Sequence, residues 1–198
     1  YMLPDQKRGA EEAVVKLYRA RNFPREWAHV ATPIEPDYKT GDHVIFRFNG
    51  HWWCFVGHTP PGSLSCYYSE QLERPDWTPH PQNPVIQNRP SAARPGGRPL
   101  SFDNRIIVPF QDCSHSYGEG VSFYEVTELN TDQYEDTCLR KHVLQGNGKI
   151  GWNTGRMHHV DIHRTSNGIF CAVDGDIGLG SSIPGVGPQW SIGIYTMS

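Results

Sequence analysis

Between Gly151 and Asp176 the chain reads GWNTGRMHHVDIHRTSNGIFCAVDGD, bringing three histidines and an aspartate into six consecutive positions. The strand period puts His159, Asp161 and His163 on one face and His158, Val160 and Ile162 on the other. Neutral imidazoles and a carboxylate at such positions could ligate zinc or a related divalent ion, so His159, Asp161 and His163 form a candidate metal set. The spacing is not the helical H-E-x-x-H type and no Cys-x-x-Cys accompanies it, so no cofactor is demanded. The same groups can donate to and accept from the hydroxyls of a sugar.

Carboxylates elsewhere suggest a second chemistry. Hydrolysis of a glycosidic bond uses two carboxyl groups roughly 5 to 9.5 Å apart, one as acid and the other as nucleophile or base. Asp42, Asp112 and Asp161 are the candidate catalytic carboxylates. Asp42 follows Thr40-Gly41 and precedes the apolar run His43 to Phe48, while turn capping is the competing use for an aspartate so placed. Gln111-Asp112 ends the apolar run Ile106 to Phe110, and Tyr117-Gly118 stands in the loop that follows. Arg94 lies in Ala93-Arg94-Pro95-Gly96-Gly97-Arg98, a loop whose glycines and proline could aim the guanidinium at a carboxylate or phosphate. Indole rings such as Trp152 could stack on a sugar, although repeated tryptophans in a β-protein more often serve packing.

Residues so far apart in sequence can act together only if the fold gathers them. Short apolar runs separated by glycine, proline and asparagine, without sustained helical periodicity, predict an all-β protein. Strands are expected over 1–4, 11–20, 27–34, 43–48, 52–57, 63–69, 84–87, 99–102, 105–110, 120–127, 134–139, 157–163, 169–173 and 190–196. Asn167-Gly168 should close a tight hairpin and Asp174-Gly175-Asp176 should be a turn. VVKLYRARNFPREW, ending at Trp27, is echoed by SLSCYYSEQLERPDW, ending at Trp77. A second echo links the runs that follow Asn49-Gly50, Asp103-Asn104 and Asn167-Gly168. Recurrence every fifty to sixty residues or so, with about four strands per unit, is the signature of β-propeller blades.

On that register the chain is a single domain with a partial blade over 1–36, complete blades over 37–87 and 88–141, and a last unit over 142–198, about three and a half blades in all. A propeller has at least about four blades, so a further blade is expected ahead of Tyr1. Innermost strands of successive blades converge on the central channel, which would bring Asp42, Arg94 and the His158-His159 pair together.

The 198 residues suffice for a real core, and a net charge of −3 gives no basic surface for nucleic acid. No apolar run reaches the twenty or so residues of a membrane span. Five cysteines at wide spacings leave open whether one or two disulfides form; three, Cys54, Cys66 and Cys171, sit in apolar strand patterns.

In order along the chain, Tyr1-Met2-Leu3-Pro4-Asp5, LYRARNFPREW, GDHVIFRFNGHWWCF, DWTPHPQNPV, ARPGGR, QDCSHSYGEGVSFYEVTEL and WNTGRMHHVD resemble the N-terminal domain of the plant glucosamine inositolphosphorylceramide transferase family. The resemblance runs from Tyr1 to about Asp176 and implies a five-bladed propeller like those of the arabinanase, levansucrase and invertase glycosidases. It also implies a glycosyltransferase domain elsewhere in the protein, a carbohydrate or glycolipid partner, and a Golgi-lumen setting. Asp5 stands where the family usually carries glutamate after Met-x-Pro. With these motifs in view the candidate substrate-binding residues are Asp5, Arg94, Gln111, Tyr117, Trp152, Asn153, His158 and His159. Three functions follow: a domain binding a glycan, glycolipid or nucleotide sugar at the channel; a glycosidase-like hydrolase using the channel carboxylates; or a non-catalytic interaction platform.

Overall fold

The computed structural model describes residues 1–5, 14–166, 168–178 and 189–197, and among them every regular element is a β-strand. The strands are β1 (Val15–Asn22), β2 (Glu26–Ile34), β3 (Thr40–Phe48), β4 (His51–His58), β5 (Leu64–Ser69), β6 (Thr78–Pro79), β7 (Arg94–Pro95), β8 (Leu100–Phe102), β9 (Arg105–Asp112), β10 (Gly120–Leu129), β11 (Tyr134–Gln145), β12 (Val160–Thr165), β13 (Gly168–Asp176) and β14 (Trp190–Met197). They form four antiparallel sheets that follow one another along the chain. The orders are β1-β2 with Met2 bridged to Tyr18, β3-β4-β5-β6, β7-β9-β10-β11 with β8 also on β9, and β12-β13-β14. No helix among the described residues is long and apolar enough to cross a membrane.

The sheets stack face to face because their central strands are apolar on both sides. In β4, Trp53 and Phe55 enter a cluster with Ile106, Val108 and Phe110 of β9, while the alternate residues Cys54 and Val56 pack with Val15 and Ile34 of the first sheet. On the far side of the third sheet, Val121 of β10 meets Met157, Val160 and Val173 of the last. Each sheet thus covers a face of the next, the layering of propeller blades.

Turn chemistry explains the hairpins. Asn49-Gly50 joins β3 to β4 with both φ angles positive, and Asp103-Asn104 does the same between β8 and β9, the two-residue geometry whose twist matches the flanking strands. Asn167 lies outside the described residues.

Several strands differ from expectation. Pro84 to Gln87 contributes only a single bridge, Leu64 to Ile86, and the outer strand of its sheet is β6 instead. Tyr1 to Pro4 likewise supplies one bridge, at Met2. Arg94-Pro95 is not loop but β7, the innermost strand of its sheet. Asp174-Gly175-Asp176 is not a turn: β13 continues through it, paired with Trp190 to Ile192 of β14. Glycine fits mid-strand there because a Cβ on Gly175 or Gly193 would lie 2.7 or 2.2 Å from the Trp152 ring, which covers both. All five cysteines are unpaired, with Cys54 and Cys66 buried as small apolar residues.

Candidate functional site

Asp42 is placed by a distortion of the innermost strand β3. Gly41 still faces Gly57 and Val44 faces Phe55, so one extra residue is absorbed between them, and Asp42 takes a positive φ of 52°. Such bulges re-aim a side chain, and this one turns the carboxylate toward the neighbouring sheet. There Arg94 of β7 and Gln111 of β9 are direct cross-strand partners, so both side chains leave the same face. Arg94 Nε donates to Asp42 Oδ2, and Gln111 Nε2 donates to the same oxygen at 2.9 Å and to the Pro95 carbonyl at 2.7 Å. A Cβ on Gly41 would fall 2.4 Å from an Arg94 guanidinium nitrogen, so only glycine lets the arginine lie against β3.

From Arg94 a row of rings leads to the last sheet. The guanidinium carbon sits 5.3 Å from the centre of the Tyr117 ring, and Tyr117 lies 4.9 Å from His158. His158 meets Trp190 edge-on at 4.5 Å, and Arg156 caps Trp190 at 5.2 Å. These distances are those of cation–π and T-shaped aromatic contacts. Gly118, at a φ of +69°, lets the loop close on His158, whose Cβ would lie 2.6 Å from any added side chain.

Two strand aspartates of β13 complete the row. Asp174 meets the His158 imidazole and accepts the backbone N–H groups of His158 at 2.9 Å and His159 at 2.8 Å. Asp176, buried, accepts from the Arg156 backbone at 2.7 Å and from its guanidinium at 2.5 and 2.9 Å. Burial works against the charge on Asp174, but the His158 contact and the two N–H donors outweigh it and hold its pKa below the usual carboxylate value. Tyr117 moves the other way: burial, then the negative charge of Asp42, pushes its hydroxyl up to about 12.

Of the residues singled out in the sequence, Asp42, Arg94, Gln111, Tyr117 and His158 are brought together here. Asp5 lies close enough for its charge to act on His43, which is buried beside Asp42 and within reach of the Pro4 backbone. The other candidate carboxylates stand apart. Asp112 follows Gln111 in β9 and so leaves the opposite face, where it accepts from His142 Nε2 at 3.0 Å and the Ser114 N–H at 2.9 Å. Burial opposes its charge, yet these donors hold its pKa below the usual value. Asp161 is held at the surface by Arg98, whose Nη2 reaches both oxygens at 2.8 and 2.9 Å.

The remaining candidates have other surroundings. His159 and His163 are exposed, and among the described residues no three His, Cys, Asp or Glu side chains are arranged to hold a metal ion. The expected His159–Asp161–His163 set is therefore not assembled, because Arg98 occupies the one carboxylate in it. Trp152 lies flat on Gly175 and Gly193, and Asn153 braces its loop through Asn147 and Met157. A separate polar recess of about 280 Å³, lined by His51, Tyr68, Glu70, Arg74 and Asp76 among others, opens beyond the opposite ends of β3 to β5.

Arg156, Asp174, Asp176 and His43 were not foreseen as site residues. The signal for the two aspartates was present as an Asp-x-Asp alternation, masked by the glycine that made the triplet read as a turn. Arg156 and His43 carry no local signal, since the first depends on reaching Asp176 of β13 from the loop before β12 and the second on packing between sheets.

A family model described as "Glucosamine inositolphosphorylceramide transferase 1, N-terminal" matches residues 1–176. Proteins named glucosamine inositolphosphorylceramide transferase 1 are similar in sequence: that of Oryza sativa subsp. japonica is 32% identical over 185 residues, and that of Arabidopsis thaliana 30% identical over 185 residues. Each alignment covers 89% of this chain, which spans only 24% and 23% of the two relatives. Among solved structures, the Bacteroides ovatus xyloglucan PUL GH43B superposes with a TM-score of 0.57 at 10% identity, over 98% of this chain and 39% of that one. A levansucrase of B. megaterium superposes with a TM-score of 0.50 at 12% identity, over 73% of this chain and 42% of its own. These likenesses establish the propeller-type fold.

Proposed function

Since the chain belongs to the glucosamine inositolphosphorylceramide transferase N-terminal family, we propose that it is the carbohydrate-handling propeller domain of a glycosyltransferase, with the hub around Asp42, Tyr117, His158 and Trp190 as its ligand site. Glycan, glycolipid and nucleotide sugar are the ligand kinds this reading admits, in keeping with a relative whose name joins an amino sugar to a phosphorylated lipid. A Golgi-lumen setting belongs to the same proposal and rests on kinship alone.

One observation supports the site above others: residues from three sheets meet as an aromatic row bounded by ion pairs. Ring faces suit the apolar C–H faces of a pyranose, and carboxylates suit its hydroxyls. Trp190 and Tyr117 are both more than a third exposed, so their rings are reachable from solvent. Asp42 Oδ1 has no partner among the described residues and can accept a ligand hydroxyl, while Arg94 and Gln111 hold the other oxygen in place.

The chemistry of the carboxylates favours binding over hydrolysis. A glycosidase needs one carboxyl held protonated near neutrality. Asp112 and Asp174 are both shifted toward the ionised form, and Asp42 and Asp112 leave opposite faces of their neighbourhood. In this reading any transfer chemistry belongs to another part of the protein, in keeping with the greater length of the relatives.

Titration with mono- and oligosaccharides, followed by Trp fluorescence or NMR shifts, tests the reading. Tyr117→Ala and Trp190→Ala should each weaken binding about tenfold, the 1.4 kcal/mol of a lost stacking contact, with the β-sheet circular dichroism unchanged. Equal affinity in parent and variants would refute the site.

A further inference from the structure

We propose that the outer end of β11 and the loop that follows it form a peripheral docking surface for an anionic lipid bilayer, a reading that does not depend on the sugar site. The net charge of −3 hides a local segregation. Between Asp136 and Asp161 the chain has no aspartate or glutamate, yet it carries Arg140, Lys141, Lys149 and Arg156. Arg156 is held by Asp176, but Arg140, Lys141 and Lys149 are exposed and make no ion pair among the described residues. By contrast Arg89, Arg94 and Arg98, which also lie in an acid-free stretch, are each paired with an aspartate. The acids packed against this end of β11 are Asp112 and Glu119, already engaged by His142 and His115.

Apolar side chains stand among these cations. A bulge in β11 places extra residues between Arg140, opposite Phe123, and Leu144, opposite Val121. Within it His142 takes a positive φ of 47°, its N–H on Ser122 Oγ at 3.0 Å and its ring on Asp112, which leaves Lys141 and Val143 exposed on either side. Ile150 then stands 98% exposed in the loop that follows. That loop is braced: the Asn147 N–H donates to the Asn153 carbonyl at 2.9 Å, Asn147 Nδ2 to Asn153 Oδ1 at 2.7 Å, and Asn147 Oδ1 accepts the Lys149 N–H at 2.7 Å. An aliphatic side chain held in water beside a lysine has the make-up of an interfacial anchor: the apolar tip enters the headgroup boundary and the ammonium groups meet lipid phosphates. An acidic protein or a nucleic acid would satisfy the cations but offers Ile150 no apolar phase. The same loop runs on to Arg156 and His158, so docking here sets the hub beside the lipid surface.

Co-sedimentation of the whole chain with vesicles of phosphatidylcholine alone, and of equimolar phosphatidylcholine and phosphatidylserine, tests this. Binding should occur to the mixed vesicles and not measurably to the neutral ones, and raising salt from roughly 50 to roughly 500 mM should remove most of it. Lys141→Ala and Lys149→Ala should each weaken partitioning about fivefold, and Ile150→Ser about tenfold. All three positions are exposed, so the β-sheet circular dichroism should match the parent. No binding to the mixed vesicles, or binding that all three variants leave unaltered, would overturn the proposal. Binding lost in the lysine variants but intact in Ile150→Ser would mean a partner read through charge alone, an acidic protein or a nucleic acid, and would overturn it as well. Sugar titrations of the same variants should match the parent, which keeps this result separate from the fate of the hub.

Discussion

His43 shows how a single side chain at this hub makes stability depend on pH. Burial lowers its pKa, and the nearby charges of Asp5 and Asp42 and the Pro4 backbone only partly offset that effect. A histidine titrating lower in the folded state than its unfolded value near 6.5 binds fewer protons when folded. Its stabilisation is therefore fully present above about pH 6.5 and is lost as pH falls through the folded value. Thermal unfolding between about pH 8 and 5 should show a falling Tm that His43→Gln flattens; an unchanged slope in the variant would assign the acid sensitivity to other groups. Asp112 and Asp174, whose pKa values are depressed, add a second loss only in stronger acid, below about pH 4.

The strands that position the site depend on close packing between sheets. Phe110, fully buried in β9, fills the space between the second and third sheets beside Phe55 and Tyr124. Phe110→Ala should cost about 3 to 5 kcal/mol in urea unfolding and slacken Gln111, the next residue, against Asp42. Gly97 is the tighter constraint at the junction of the third and fourth sheets. At a φ of +149°, a Cβ there would lie 1.8 Å from the Val160 carbonyl oxygen. Gly97→Ala should therefore displace β12, shift His158 from Tyr117 and reduce sugar affinity together with stability; a variant as stable as the parent would show that the strand yields without cost.

Across the molecule, large exposed apolar side chains gather on the last sheet. Ile192 is 81% exposed and Ile194 52%, on the same side as Trp190 and Phe170, with Asp174 opposite Ile192 and Asp176 opposite Trp190. Exposed apolar side chains of this size are a common cause of self-association. The isolated chain should bind the dye ANS and self-associate at high concentration. Ile192→Ser combined with Ile194→Ser should reduce both, as read by fluorescence and light scattering, without changing sheet content. Persistence of dye binding in the double variant would place the sticky surface elsewhere.

Hydrophobic alternation, the Asn-Gly and Asp-Asn turns and the fifty-residue echo were enough to read an all-β propeller-type fold from the amino acids alone, because strand period and turn chemistry are local properties. They also picked out Asp42, Arg94, Gln111, Tyr117 and His158, which meet. Only the tertiary structure decided that Asp161 belongs to Arg98 and Asp112 to His142, that Asp174 and Asp176 are strand residues facing the hub, and that His43 is buried. The physical reason is that a side chain's partner is chosen across sheets distant in sequence, by bulge, register and burial, none of which leaves a mark in the neighbouring residues.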